Sequence, residues 1–93
     1  MNVPPFLCVV LWQQGAPSRL GLAVSARFGT AVERNLLKRW IRMVFRQTWP
    51  RFYAGWQVVV VPRAKAAQVG YQDVVRVFGK LSGLLAQQTL RTG

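Results

Sequence analysis

The sequence predicts an α/β two-layer sandwich in which helices cover a small mixed sheet. Three observations carry this: short β-branched runs that read as strands, two longer segments with apolar residues three and four apart that read as helices, and their order, strand-strand-helix-strand-helix. Ninety-three residues, 52% of them hydrophobic, suffice for one core and not for two, so residues 1–93 are read as a single domain. There is no internal repeat, low-complexity tract or linker.

Residues 6–12, FLCVVLW, are continuously apolar with β-branched and aromatic members, a strand buried on both faces or with one face lightly covered. Pro4 and Pro5 keep the preceding residues extended. Gly15 and Pro17 give 13–18 turn chemistry and predict a hairpin connection to the next strand. That strand, Arg19 to Arg27, alternates Leu20, Leu22, Val24 and Ala26 with small and basic residues, which leaves room for something to approach the sheet. Gly29 stands between strand and helix, where an unusual backbone angle is expected.

Residues 30–49, TAVERNLLKRWIRMVFRQTW, read as one amphipathic helix. Thr30 and Glu33 have capping-box spacing, and Pro50 stops the run. Arg34, Lys38, Arg42 and Arg46 descend one face at four-residue steps with Asn35 and Arg39 beside them, while Leu37, Trp40, Ile41, Val44 and Phe45 take the other. An aromatic connector, RFYAG, leads into a strand at 56–61, WQVVVV, ended by Pro62. Arg63 and Lys65 begin a loop. Gly70 to Gln88 is a second helix with an apolar stripe of Val74, Val77, Phe78, Leu81, Leu84 and Leu85, weakened by Gly79 and Gly83 unless they permit close packing. LRTG is a loose tail.

Thirteen Lys and Arg against Glu33 and Asp73 give a net charge of +11, which costs self-repulsion unless a phosphate backbone or an anionic membrane neutralises it. Beyond Glu33 the basic helix has no acid to relieve its arginines, unlike an ordinary solvated helix that interleaves both signs. Nucleic acid is therefore the first partner class. No run approaches the roughly 18 apolar residues of a membrane span, and the N-terminus lacks the basic region of a signal peptide. A membrane-surface role is disfavoured because the apolar side of the basic helix is needed for the core. No membrane partner is expected, and the location is read as cytoplasmic.

Cys8 is the only cysteine and histidine is absent, which excludes disulfides, Cys/His zinc sites and an imidazole base. Glu33 fits a helix cap and Asp73 the first turn of the second helix, so no catalytic residue and no metal ligand of the protein is assigned. Cys8, in an apolar run, is read as a core residue. Of the four tryptophans, Trp40 and Trp56 read as core, and Trp12 and Trp49 as the better candidates for stacking on bases.

Arg19 to Arg42, RLGLAVSARFGTAVERNLLKRWIR, resembles the centre of the bacterial ribonuclease P protein family. The family pattern is a strand R-x-G-x-x-V-S, a glycine, A-V-x-R-N and K-R-x-x-R. Arg19, Gly21, Val24, Ser25, Gly29, Ala31, Val32, Arg34, Asn35, Lys38, Arg39 and Arg42 match it. The later VVVVPRAKAAQVGYQDVVRVFGKL is similar to the family's strand, basic loop and final helix, so the likeness covers about residues 6–88.

The resemblance implies a protein that binds a catalytic RNA subunit and precursor tRNA and assists removal of the 5′ leader. Mg²⁺ would act through the RNA, and no protein partner is required. It implies that Arg34, Asn35, Lys38, Arg39 and Arg42 contact RNA, joined by Arg46 and Arg27 from the basic surface. It also implies a left-handed β-α-β crossover, which is rare. Leu36 stands where the family has a second arginine. The chain is expected to begin at the family's first long strand, without the basic N-terminal helix that there lines a leader cleft. Phe6 and Trp12 are the candidate leader contacts, although Val9 falls at the ungapped position of the family's strand aromatic. The alternative is a purely structural RNA-binding protein, ribosomal-protein-like, using the same face.

Overall fold

A computed structural model of the chain describes residues 1–48 and 55–92, leaving aside the side chains of Thr48 and of 88–92. Trp49, Pro50 and most of the aromatic connector lie outside the described residues, and with them the predicted helix stop and one stacking candidate. The elements are β1 (Asn2–Val3), β2 (Phe6–Trp12), β3 (Arg19–Leu22), α1 (Ala31–Thr48), β4 (Trp56–Pro62) and α2 (Tyr71–Thr92), with a 3-10 turn at Ala66–Gln68. The four strands form one mixed sheet in the order β1-β2-β4-β3.

The last strand in sequence is thus an inner strand of the sheet. β4 pairs antiparallel with β2, from Phe6 opposite Pro62 to Trp12 opposite Trp56, and parallel with β3, from Arg19 opposite Gln57 to Leu22 opposite Val60. This corrects the expected hairpin between β2 and β3, which never pair because β4 lies between them. Gly15, at φ 79°, does make the turn, but the chain leaves it towards the far side of β4. β3 and β4, joined through α1, form the parallel β-α-β unit.

β3 is also shorter than the alternation through Arg27 predicted. Its last rung is the Ala23 N–H donating to the Val60 carbonyl at 3.1 Å. The next rung of a parallel ladder would need an N–H from Pro62, which has none, so pairing stops while the apolar alternation continues. At the other edge, β1 pairs Val3 with Phe6 and Asn2 with Leu7 across a turn at Pro4–Pro5, a hairpin the sequence reading did not contain.

Facing positions place Phe6, Cys8 and Val10 of β2, Trp56, Val58 and Val60 of β4, and Leu20 and Leu22 of β3 on one side of the sheet. That side joins both helices in one core with Leu37, Ile41, Val44 and Phe45 of α1 and Val74, Val77, Phe78, Leu81 and Leu85 of α2. β2 therefore has one covered face and one open face. The helices meet through ring contacts, Phe45 against Phe78 with centroids 6.3 Å apart and Trp40 against Tyr71 at 5.9 Å, both near edge-to-face.

α1 starts where the capping box placed it. Gly29 has no left-handed backbone angle, contrary to expectation; its role is space, since a Cβ there would lie 2.6 Å from Glu33 Oε1. α2 runs to Thr92, so most of the supposed loose tail is helical. Gly79 and Gly83 have open space where a Cβ would stand, so neither serves close packing among the described residues.

Candidate nucleic-acid interface

The core face of α1 fixes what its other side presents. With Leu37 and Ile41 almost wholly buried, Asn35, Arg39, Arg42 and Arg46 are exposed, and Arg34 and Lys38 flank the core half-buried. Arg34 Nε is enclosed and finds no acceptor among the described residues. Among those residues the one ion pair is Arg76 with Asp73, at 3.3 Å on α2, so the cations of α1 have no acid partner. Glu33 is engaged at the cap, accepting the Thr30 N–H at 2.8 Å. The outcome is a basic ridge along one helix, with five-donor guanidinium forks suited to phosphate oxygens.

A second basic feature lies at the N-terminal end of α1. The segments that follow the parallel strands β3 and β4 are held together there by the Ala66 N–H donating to the Phe28 carbonyl at 2.7 Å. Between them opens a groove of about 740 Å³ lined by Ser25, Arg27, Arg63, Lys65 and Gln68 over a floor of Phe28 and Pro62. Arg27 was expected in the interface. Arg63 and Lys65 belong to the expected basic loop, but nothing local places them beside Arg27, because the groove exists only once β3 and β4 are known to be parallel neighbours.

The open face of the sheet is the third feature. Val9, Val59 and Gly21 form one row across three strands, with Leu11 and Gln57 in the next. Val9 is 53% and Leu11 59% exposed. Gly21 keeps the row flat, since a Cβ there would approach Val59 Cγ2 to 3.1 Å.

Of the two candidate leader contacts, Phe6 needs correction, while Trp12 remains accessible at the end of the sheet. Phe6 is completely buried, on the covered face beside Cys8, and can touch no ligand. Phe6 has the same strand parity as Cys8, so the alternation that buries one buries the other. Trp12 is 40% exposed but shares that covered face, at its end, with its ring 6.4 Å from Trp56. Position 9, where the ungapped alignment put the family's aromatic, is the one that faces out.

Cys8 is buried, and burial raises its thiol pKa against a smaller opposite effect of the N-terminal ammonium. Among the described residues no cluster of three His, Cys, Asp or Glu could hold a metal ion, and no helix is long and apolar enough to cross a membrane.

A sequence profile of the family described as Ribonuclease P matches residues 2–86. The ribonuclease P protein component of Thermotoga petrophila is 44% identical over 69 residues, covering 73% of this chain and 59% of that protein. That of Symbiobacterium thermophilum is 36% identical over 84 residues, covering 86% and 72%. Among solved structures, the RNase P protein of Thermotoga maritima in complex with 1-(4-fluorophenyl)-2-thiourea is similar with a TM-score of 0.75 and 32% identity, over 87% of this chain and 79% of that one. The Staphylococcus aureus RNase P protein shares the fold at a TM-score of 0.76 and 24% identity, over 90% and 77%. The chain spans 59%, 44% and 53% of the length of three curated relatives, from Thermotoga petrophila, Thermotoga maritima and Syntrophus aciditrophicus. With its profile match running nearly from end to end, the chain belongs to the ribonuclease P protein family.

Proposed function

We propose that this chain acts as the protein subunit of a cytoplasmic ribonuclease P, binding the catalytic RNA and precursor tRNA and assisting endonucleolytic removal of the 5′ leader. The observation that carries this reading is the ridge of Asn35, Arg39, Arg42 and Arg46 on α1, with Arg34 and Lys38 at its flank and no acid partner among the described residues. Arginines so arranged neutralise phosphates and release counterions, the dominant source of affinity for nucleic acid. The enclosed Arg34 Nε would gain its acceptor there.

Catalysis is assigned to the RNA. Both carboxylates in the described structure serve helix starts, Glu33 at Thr30 and Asp73 at Gly70, and two separated acids do not make a ligand set for Mg²⁺. The ion belongs to the RNA in this reading, and the protein contributes fixed positive charge that reduces the Mg²⁺ needed for the RNA to fold and bind substrate. The leader is assigned to the open sheet face around Val9 and Leu11, with the groove of Arg27, Arg63 and Lys65 taking its phosphates. The family assignment favours this over a ribosomal-type structural role.

The test is reconstitution with the catalytic RNA of the same genome. Single-turnover cleavage of precursor tRNA should proceed with the protein at a Mg²⁺ concentration where the RNA alone is slow. A protein that binds ribosomal RNA fragments equally well, and leaves cleavage unchanged at every Mg²⁺ concentration, would overturn the proposal.

A further inference from the structure

The solvent side of α1 is divided lengthwise. Beside the ridge of Arg39, Arg42 and Arg46 runs an aliphatic strip, with Val32 77%, Leu36 42% and Met43 40% exposed. The two strips meet: Met43 and those three arginines line one open cleft of about 490 Å³. Leu36 rims a smaller hollow of about 100 Å³ whose walls include Phe28, Trp40, Ala66 and Val69, with the cap carboxylate of Glu33 at one side. A strip this exposed is not needed by the core, which α1 completes with Leu37, Ile41, Val44 and Phe45.

A helix seated in an RNA groove has phosphates on both sides, and aliphatic side chains pressed against one of those backbones would strip water from charges without replacing it. Arginines on one side and aliphatic surface on the other match a different feature, a backbone running beside bases that are not stacked in a duplex. The end of a helix, a bulge and a loop all present such bases. The geometry points to a composite site on α1 for an unpaired nucleotide: Arg39, Arg42 and Arg46 hold the phosphates, and Leu36 and Met43 cover the base. This deepens the reading that α1 binds RNA, and it names the RNA feature that α1 takes. A protein segment is the other occupant such a strip could accept, but the adjoining arginines, with no acid among them, complement a polyanion.

The experiment compares Leu36→Gln/Met43→Gln with Arg39→Gln/Arg42→Gln, probed with the catalytic RNA of the same genome across a salt series. Glutamine keeps nearly the helix propensity of leucine and methionine, and thermal melting checks that each variant folds. The aliphatic variant should bind roughly tenfold more weakly at every salt concentration with an unchanged slope of log affinity against log salt, since no phosphate contact is lost. The arginine variant should lose affinity and about two units of slope. In chemical probing, an unpaired nucleotide protected by the wild-type protein should become reactive with the aliphatic variant while backbone protection persists. If the aliphatic variant keeps wild-type affinity and protections, the strip is solvent-facing or a protein-docking surface, and the composite site is overturned while RNA binding by α1 stands. Wild-type affinity and slope in the arginine variant would overturn both.

Discussion

Thr30 and Glu33 bind each other's backbone at the head of α1: the Thr30 N–H donates to Glu33 Oε1 at 2.8 Å, and the Glu33 N–H to Thr30 Oγ1 at 3.2 Å. One of the chain's two acids is thus engaged at the start of its most basic helix, and Gly29 is where the carboxylate needs a residue without a Cβ. Thr30→Ala removes one of the two bonds and should cost about 1 kcal/mol, read as a lower thermal midpoint with RNA affinity little changed.

Arg42→Glu should act in the opposite sense. Arg42 is exposed and its replacement leaves the core face of α1 untouched, so the melting midpoint should hardly move. A repulsive carboxylate would stand where the proposed phosphate contact is, so affinity for the catalytic RNA at moderate salt should fall at least tenfold. Filter retention with wild-type affinity would show that the ridge is not the interface.

Ile41→Ala tests the other side of the same helix. Ile41 is fully buried in the shared core, and its truncation should cost about 2–5 kcal/mol by denaturant unfolding. A domain of this size has little stability to lose, so partial unfolding at 37 °C is expected.

Acid should weaken the start of α2. Asp73 accepts the Gly70 N–H at 2.8 Å and lies beside Arg76; the backbone bond first, then Arg76, hold its carboxyl below the usual range. The unfolded chain therefore takes up this proton at a higher pH than the folded one. The contribution is fully present above the unfolded pKa, about 3.9, and is lost as pH falls through the folded value. Stability of the wild type should drop below about pH 4, and Asp73→Asn should flatten that limb in a urea series.

Val9→Glu probes the open sheet face. Val9 is half exposed opposite Val59, so the fold should tolerate the change. If the leader crosses this face, the holoenzyme should bind precursor tRNA several-fold more weakly and mature tRNA as before, in a direct affinity comparison.

The elements were legible wherever a local signal sufficed. The apolar run 6–12 is β2 to the residue, and the capping box and four-residue spacing gave α1 its start and both its faces. Strand order was not legible, because Gly15 and Pro17 describe only a turn and say nothing of which strand will fill the neighbouring edge. The basic ridge followed from spacing on one helix. The groove of Arg27, Arg63 and Lys65 did not, since it joins segments more than thirty residues apart in sequence. The burial of Phe6 is legible from a simpler signal, its strand parity with Cys8.

The inner position of β4 has a consequence for the order of assembly. Until residues 56–62 have left the ribosome, β3 has no strand to pair with and β2 has only two-residue β1. α1 is synthesised before β4 and before α2, the element it packs against most, so its arginines emerge on a helix whose apolar side is only partly covered. Joining distant segments is the slow part of folding such a topology. During that interval α1 presents two adhesive sides, and completing the core buries the apolar one while leaving the cationic one exposed.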